Sequence, residues 1–420
     1  MGSVKPILLD AAAADASGAV RYGKAGEALV RLPDGSQRHV PPDHQYDVTQ
    51  ATIFGLNERL TAAATSPVVG AGGHTLRDEF NDEWNRYAEA MGNTGAGVTY
   101  GVYAYYAERN DLVRYCPKYW HRVVAVASNA KLISDPIGEL SWREIRDIFD
   151  ASVIAVAGAS VGGSIIHAVA MDIRPDNLKI ADKSLYKMEN INRVRLGYWD
   201  MVRPNADREA VADMMLRNKA DVTAAQLYSI DPYLNVYVYN EGITEKNIAR
   251  FFEGEGEEPP INILIEEVDD PRIKLLLREE ARRRRVPLIM ATDVGSAVQL
   301  DISRYDLDGA LPLTYGTSDE ELYEKMNAVY GNPGDRKTFF AFVDALLGTQ
   351  YRQGELALVI EGKTEIPTST IIPQLGSTIA VAAGIVAETA ARILLGETYP
   401  PRVFFNKRTF EAKRFPPDRR

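Results

Sequence analysis

The stretch from Ala151 to Arg195 constrains the fold more than any other part of the chain. A short apolar run with Val153, Ile154 and Val156 breaks into a Gly/Ser turn at Gly158, Ser160, Gly162 and Gly163, and an apolar helical segment follows from Ile165 to Met171. A second strand, Leu178 to Ala181, ends on Asp182. Strand, tight turn, helix and strand with an acid at the second tip is the pattern of a nucleotide site. Glycines let the backbone approach phosphates, amides at a helix N-terminus face an anion, and the acid accepts hydrogen bonds from ribose hydroxyls. Ser160 stands where G-x-G-x-x-G has its middle glycine, so the turn alone does not name the ligand.

Further along, strands and helices alternate. The pattern predicts a helix at about Arg208 to Lys219, a strand at Asn235 to Tyr239, a helix at Glu245 to Phe252 and a strand at Asn262 to Glu266. A charged helix from Arg272 to Arg285 and a strand at Leu288 to Thr292 follow. Residues 310 to 375 lose the alternation, and an Ala-rich helix, Ser377 to Leu395, with a short strand, Arg402 to Asn406, closes the chain. This order predicts an α/β fold, a Rossmann-like doubly wound, mostly parallel sheet with its ligand at the carboxyl ends of the strands. Residues 126–420 would carry it, with a nucleotide core at 150–303 and a closing segment at 373–406.

Residues 1–125 are expected to form an accessory domain. It has strand-like pieces around Glu27 to Arg31, a turn at Pro33-Asp34-Gly35, a helix from Leu76 to Ala90, and an aromatic alternation from Tyr100 to Arg114 around Asn110-Asp111. Such a stripe is core in most proteins; its other use would be a surface that docks a peptide substrate.

Composition removes several classes of function. Forty-eight basic against 58 acidic residues give a net charge of -10, which speaks against nucleic acid as a partner. No apolar run reaches the roughly 18 residues of a membrane span, so a cytoplasmic protein is expected. The single cysteine, Cys116, excludes an intrachain disulfide and a Cys-pair zinc site. The run Arg282 to Arg285 shares its helix with Glu279 and Glu280 and is expected to be an ion-paired, solvated face.

Asn190 stands eight residues after Asp182, Arg193 three further on, and Ile265 to Asp270 ends a strand in carboxylates. An Arg and an Asn can hold phosphates, and a carboxylate can bring Mg²⁺ to a leaving pyrophosphate; nicotinamide chemistry gives these groups no role. The pattern D-x(7)-N-x-x-R after a glycine turn, with a later strand ending in an Asp pair, resembles the ThiF/MoeB family, the adenylating fold shared with ubiquitin-activating (E1-like) enzymes. The resemblance runs from about Asp150 to Ser303 and resumes at Pro373 to Thr378.

The resemblance implies ATP and Mg²⁺ as cofactors, adenylation of the C-terminal carboxylate of a peptide or small ubiquitin-like protein, and a homodimer. It makes Gly158, Ser160 and Gly163 the phosphate turn, Asp182 the ribose acid, Asn190 and Arg193 the phosphate-binding pair, and Asp269 the metal ligand. Arg208 falls best on the family's lysine, and Lys131, in Ser128 to Ile133, on an arginine that reaches the partner's ATP. Arg193, Arg208, Lys131 and Mg²⁺ on Asp269 would together neutralise the charge that grows during the reaction. Ser160, Val161 and Ser184 depart from the family's pattern. Cys116 precedes the nucleotide unit, so no enzyme thioester is expected. His167 is expected to be a packed histidine and Asp270 a helix cap, while Glu266 and Glu267 are equally open to structural and functional roles. Two rivals remain: an NAD(P)-dependent oxidoreductase, resting on the turn and Asp182 alone, and a scaffold that binds nucleotide without turnover.

Overall fold

The computed structural model describes residues 4–48, 101–118, 121–122, 140, 142–201, 216–348 and 374–415. The predicted helix at Leu76 to Ala90, Lys131 and Arg208 lie outside the described residues. The chain divides into two compact units, Met1–Arg146 with Tyr228–Tyr233, and Asp147–Leu227 with Leu234–Arg420.

The first unit contains β1 (Ile7–Asp10), α1 (Ala11–Ser17), β2 (Val20–Tyr22), β3 (Ala28–Arg31), β4 (Gln37–Val40), β5 (Gln45–Asp47), β6 (Val102–Tyr106) and β7 (Asp111–Tyr115). They form a sheet of order β1-β6-β7-β5 and a three-stranded sheet β2-β3-β4. The aromatic alternation faces inward: Tyr103 and Tyr105 pack with Ala11, Val30, Val40 and Leu112. Tyr106 and Tyr115 share a 2.9 Å hydroxyl hydrogen bond. Tyr103 and Tyr105 are thus core residues, while Tyr100 lies outside the described residues. The β6–β7 turn places Asn110 at φ 56°, a conformation Asn tolerates better than most residues.

Helix α2 (Trp142–Ala151) leads into the second unit. There the apolar runs pair as expected: β8 (Val153–Ala157), β9 (Asn177–Ala181), β10 (Asn235–Tyr239), β11 (Ile263–Glu266) and β12 (Leu288–Val294) are mutually parallel, in the order β10-β9-β8-β11-β12. Ile154, Val156, Ile180, Leu264 and Ile289 are fully buried, as strands covered on both faces must be. β13 (Ala297–Ser303), β14 (Arg402–Asn406) and β15 (Glu411–Phe415) extend the sheet antiparallel. The sequence predicts neither β13 nor β15. β13 hides because its inward positions include Gln299 and Asp301, the latter buried against Arg402.

The helices are α3 (Val161–Asp172), α4 (Tyr198–Met201), α5 (Lys219–Ile230), α6 (Ile248–Glu253), α7 (Pro271–Arg283), α8 (Asp319–Gly331), α9 (Arg336–Leu347) and α10 (Gly376–Leu394). Most of the helix predicted at Arg208 to Lys219 lies outside the described residues; α5 begins at Lys219, where Asn218 Oδ1 accepts from the Ala220 and Asp221 amides and starts the turn. Helices α8 and α9 occupy the segment without alternation, each started by a cap: Ser318 Oγ accepts from Glu321 N and Asp335 Oδ1 from Lys337 N. Helix α10 is long and apolar enough to cross a membrane by length and composition, against the expectation that no such run exists; 56% of its apolar window is buried. It packs on α3, β12 and β13 as a core helix.

Candidate functional site

Strand order reverses around β8, whose neighbours are β9 on one side and β11 on the other. At such a switch point the loops leaving the two halves part and open a crevice at the carboxyl edge. Gly158 leaves β8 at φ 95°, and a Cβ on it would lie 2.4 Å from Glu267 O in the chain leaving β11. Only glycine fits both demands. The other turn glycines differ: a Cβ at 162 would meet Val156 Cγ1 at 2.5 Å, whereas one at 163 would make ordinary contacts beginning at 3.5 Å. Ser160 holds the N-cap position of α3 without a capping hydrogen bond. Its Oγ accepts instead from Arg193 Nε at 3.2 Å.

Asp182 follows β9. Its Oδ2 accepts from Ala159 N and its Oδ1 from Ser184 N, each at 2.7 Å. A carboxylate oxygen has two lone-pair directions, so each keeps capacity for a ribose hydroxyl. The same bonds tie the acid to the glycine turn. Asn190 is 3% exposed, and its Oδ1 accepts from Lys187 N at 2.9 Å, closing the 3-10 turn Met188–Asn192 from which Arg193 projects. These contacts of Asn190 are structural. Arg193 Nη1 donates to Glu189 O at 3.2 Å and to Asn192 Oδ1 at 3.1 Å.

Asp269 is exposed on the edge after β11. Its neighbours have other work. Glu266 is fully buried and takes Lys274 Nζ at 2.8 Å and Arg278 Nη2 at 3.1 Å. Asp270 caps α7, accepting from Arg272 N at 3.0 Å and Ile273 N at 3.1 Å. Glu267 Oε1 accepts from Ala291 N at 2.8 Å, and burial pushes its carboxyl well above the usual range. His167 is buried, its Nδ1 paired with Gly163 O, and burial lowers its pKa, so it packs as a neutral ring. The arginine run is ion-paired: Arg282 with Asp319, Arg283 with Glu280, and Arg284 with Glu253 and Glu280.

Two residues join the site that the sequence did not single out. Lys219, first in α5, is partly buried; burial lowers its pKa, while the charges of Asp182 and Asp269 draw it up and Arg193 and Lys187 push it down. It therefore sits in the field of Asp182, Asp269 and Arg193. Arg208, the cation expected from the sequence, lies outside the described residues. The signal for Lys219 was a cap, Asn218, before an Ala-rich helix. Asp293, near the end of β12, has its pKa raised by burial, eased by Gln374 and Arg193 and reinforced by Asp269.

On the far side of Arg193 a cavity of about 450 Å³ opens between α3 and α10, lined by Ser164, His167, Met171, Ile191, Ala380 and Gly384 among others. The edge thus offers a helix N-terminus, two cations and a hydroxyl-accepting acid around one turn, with an exposed carboxylate beside them. That donor set fits a nucleoside polyphosphate, and Asp269 could hold its divalent cation.

A family model described as the ThiF family matches residues 134–420. An uncharacterized protein of Mycobacterium tuberculosis (strain CDC 1551 / Oshkosh), MT1398, is 28% identical over 295 residues, which is 70% of this chain and 36% of that protein. The chain thus spans about a third of the length of the curated relative it matches. Among solved structures, E. coli MccB with ATP is 12% identical with a TM-score of 0.44, covering 98% of this chain and 95% of that one. PaaA is 12% identical with a TM-score of 0.45, over 95% and 98% of the two chains. E. coli tRNA N6-threonylcarbamoyladenosine dehydratase, TcdA, in complex with AMP, is 16% identical with a TM-score of 0.41, over 66% and 96%. TM-scores in this range leave the likeness without weight for the chemistry.

Proposed function

The chain belongs to the ThiF family, and from that premise we propose that it adenylates a carboxylate, with ATP as the adenylyl donor. The observation that carries this reading is the gathering of Gly158, Asp182, Arg193, Lys219 and Asp269 at one switch-point edge. A dinucleotide oxidoreductase would use the turn and Asp182, but has no need of two cations and an exposed aspartate at the same edge.

The carboxylate oxygen attacks the α-phosphorus, the α–β bridging P–O bond breaks, and pyrophosphate leaves. Attack by an anion on an anion is slow until negative charge is neutralised, so most of the rate must come from positioned positive charge. Asp182 would orient the ribose, the α3 N-terminal amides and Arg193 would hold phosphate oxygens, and Lys219 would meet the charge that develops. Asp269 would hold Mg²⁺, which adds a Lewis acid on the leaving group. No base is needed, because the nucleophile is already ionised near neutral pH.

The substrate we propose is the C-terminal carboxylate of a peptide or small ubiquitin-like protein, and the acting form a homodimer. Transfer through an enzyme thioester is disfavoured: the single cysteine, Cys116, is 2% exposed. The test is exchange of radiolabelled pyrophosphate into ATP, with peptide pools bearing free or amidated C-termini. Exchange stimulated only by free C-termini supports the reading. Equal stimulation by both pools would remove the C-terminal carboxylate as substrate.

A further inference from the structure

Asp293 stands on the carboxyl edge within the field of Arg193, Asp269 and Glu267. A further negative charge beside a polyphosphate site weakens anion binding by Coulomb repulsion, so its presence needs a reason. The hydrogen bonds supply one. Asp293 Oδ1 accepts from Gln374 Nε2 at 3.1 Å. The backbone oxygen of Gln374 accepts from Asn192 Nδ2 at 3.2 Å. Asn192 Oδ1 accepts from Arg193 Nη1 at 3.1 Å. Three bonds in series therefore run from the end of β12 to the guanidinium.

The surroundings leave this series little slack. A Cβ at Gly376 would come within 2.5 Å of Asn192 O, so the chain entering α10 lies directly on the turn that carries Arg193. Thr378 Oγ1 donates to Gly295 O at 2.7 Å and ties the same segment to the β12–β13 turn. An arginine side chain is long, and its hold on phosphate depends on how much of its freedom is removed beforehand.

We propose that Asp293, acting through Gln374 and Asn192, is a positioning residue for Arg193, holding the guanidinium in the orientation in which it meets nucleotide phosphates. The identity of the ligand rests on the adenylation reading; the relay itself rests on the three bonds. Its sign separates it from electrostatics. Removing a negative charge strengthens binding of an anion, whereas breaking the relay weakens it.

The experiment is calorimetric titration of ATP with Mg²⁺ into the full chain as wild type, Asp293→Ala, Asp293→Asn, Asn192→Ala and the Asp293→Ala/Asn192→Ala double variant. Asparagine keeps the acceptor and loses the charge. The relay predicts about tenfold weaker binding for Asp293→Ala, the size of a lost hydrogen bond to a charged group. It predicts binding at least as tight as wild type for Asp293→Asn, and a double variant no worse than Asn192→Ala alone, since members of one network do not add. Unchanged or tighter binding in Asp293→Ala, equal losses in Ala and Asn variants, or additive losses would each overturn it. If wild type binds no ATP, the adenylation reading fails, and ligand-free thermal unfolding of the same variants decides the relay: non-additive Tm losses retain it, and losses that sum overturn it.

Discussion

Gly158 and Gly163 carry equal weight in a motif, yet the structure separates them. At Gly158 a side chain meets both a positive φ and the Glu267 carbonyl. Gly158→Ala is expected to cost about 1–3 kcal/mol or more and to lower Tm clearly. Gly163 lies inside α3 with ordinary clearance, so Gly163→Ala should leave Tm unchanged or raise it, alanine being the better helix former. Scanning calorimetry on the two variants checks the contrast, and a similar loss in both would contradict it. Lys219 makes a second prediction. Its pKa lies below the ordinary 10.5 because burial disfavours the cation. The charge is present below that lowered pKa and lost as pH rises through it, so kcat/KM for ATP should fall on the alkaline side. Lys219→Arg is expected to move that limb to higher pH, and an unmoved limb would exclude Lys219 as the titrating group. The sequence shows Asp182 and Arg193 because their spacing is fixed by one short connection. Lys219 is hidden because what sets it at this edge is the Asn218 cap and the 2.9 Å bond from Lys219 N to Ser184 O, not a fixed spacing from Arg193.

The parallel strands β8 to β12 are legible because burial on both faces demands unbroken apolar runs, such as Val153 to Ala157. The antiparallel extension was less so. β13 buries Gln299 and Asp301, acceptable only because Arg402 arrives from β14, about a hundred residues away, and local sequence holds no record of that partner. The end of β11 shows the same logic at the site. The four acidic residues between 266 and 270 look alike in sequence, but Glu266 turns inward to two cations and Asp270 caps α7, leaving Asp269 to face solvent. Glu266→Ala would strand Lys274 and Arg278 with a buried, uncompensated charge. A loss of about 3–5 kcal/mol is expected, read as a fall in the denaturation midpoint. A change within about 0.5 kcal/mol would place Glu266 outside the structural role assigned to it.

At the scale of the molecule, the second unit carries every described residue of the proposed site, while Tyr103 and Tyr105 of the first unit serve its own core. The homodimer we propose predicts twice the chain mass of 46.5 kDa in sedimentation equilibrium; a monomer at all concentrations would remove any role for Lys131 in a partner's site. The central claim is that the switch-point edge is an ATP site built on Arg193, and one measurement addresses it directly. ATP with Mg²⁺, NAD⁺ and NADH are titrated calorimetrically into wild type and Arg193→Ala. Heat from ATP alone, lost in the variant, is the predicted result. Binding of NAD⁺ or NADH that is indifferent to Arg193 would contradict the claim and give the fold to dinucleotide chemistry.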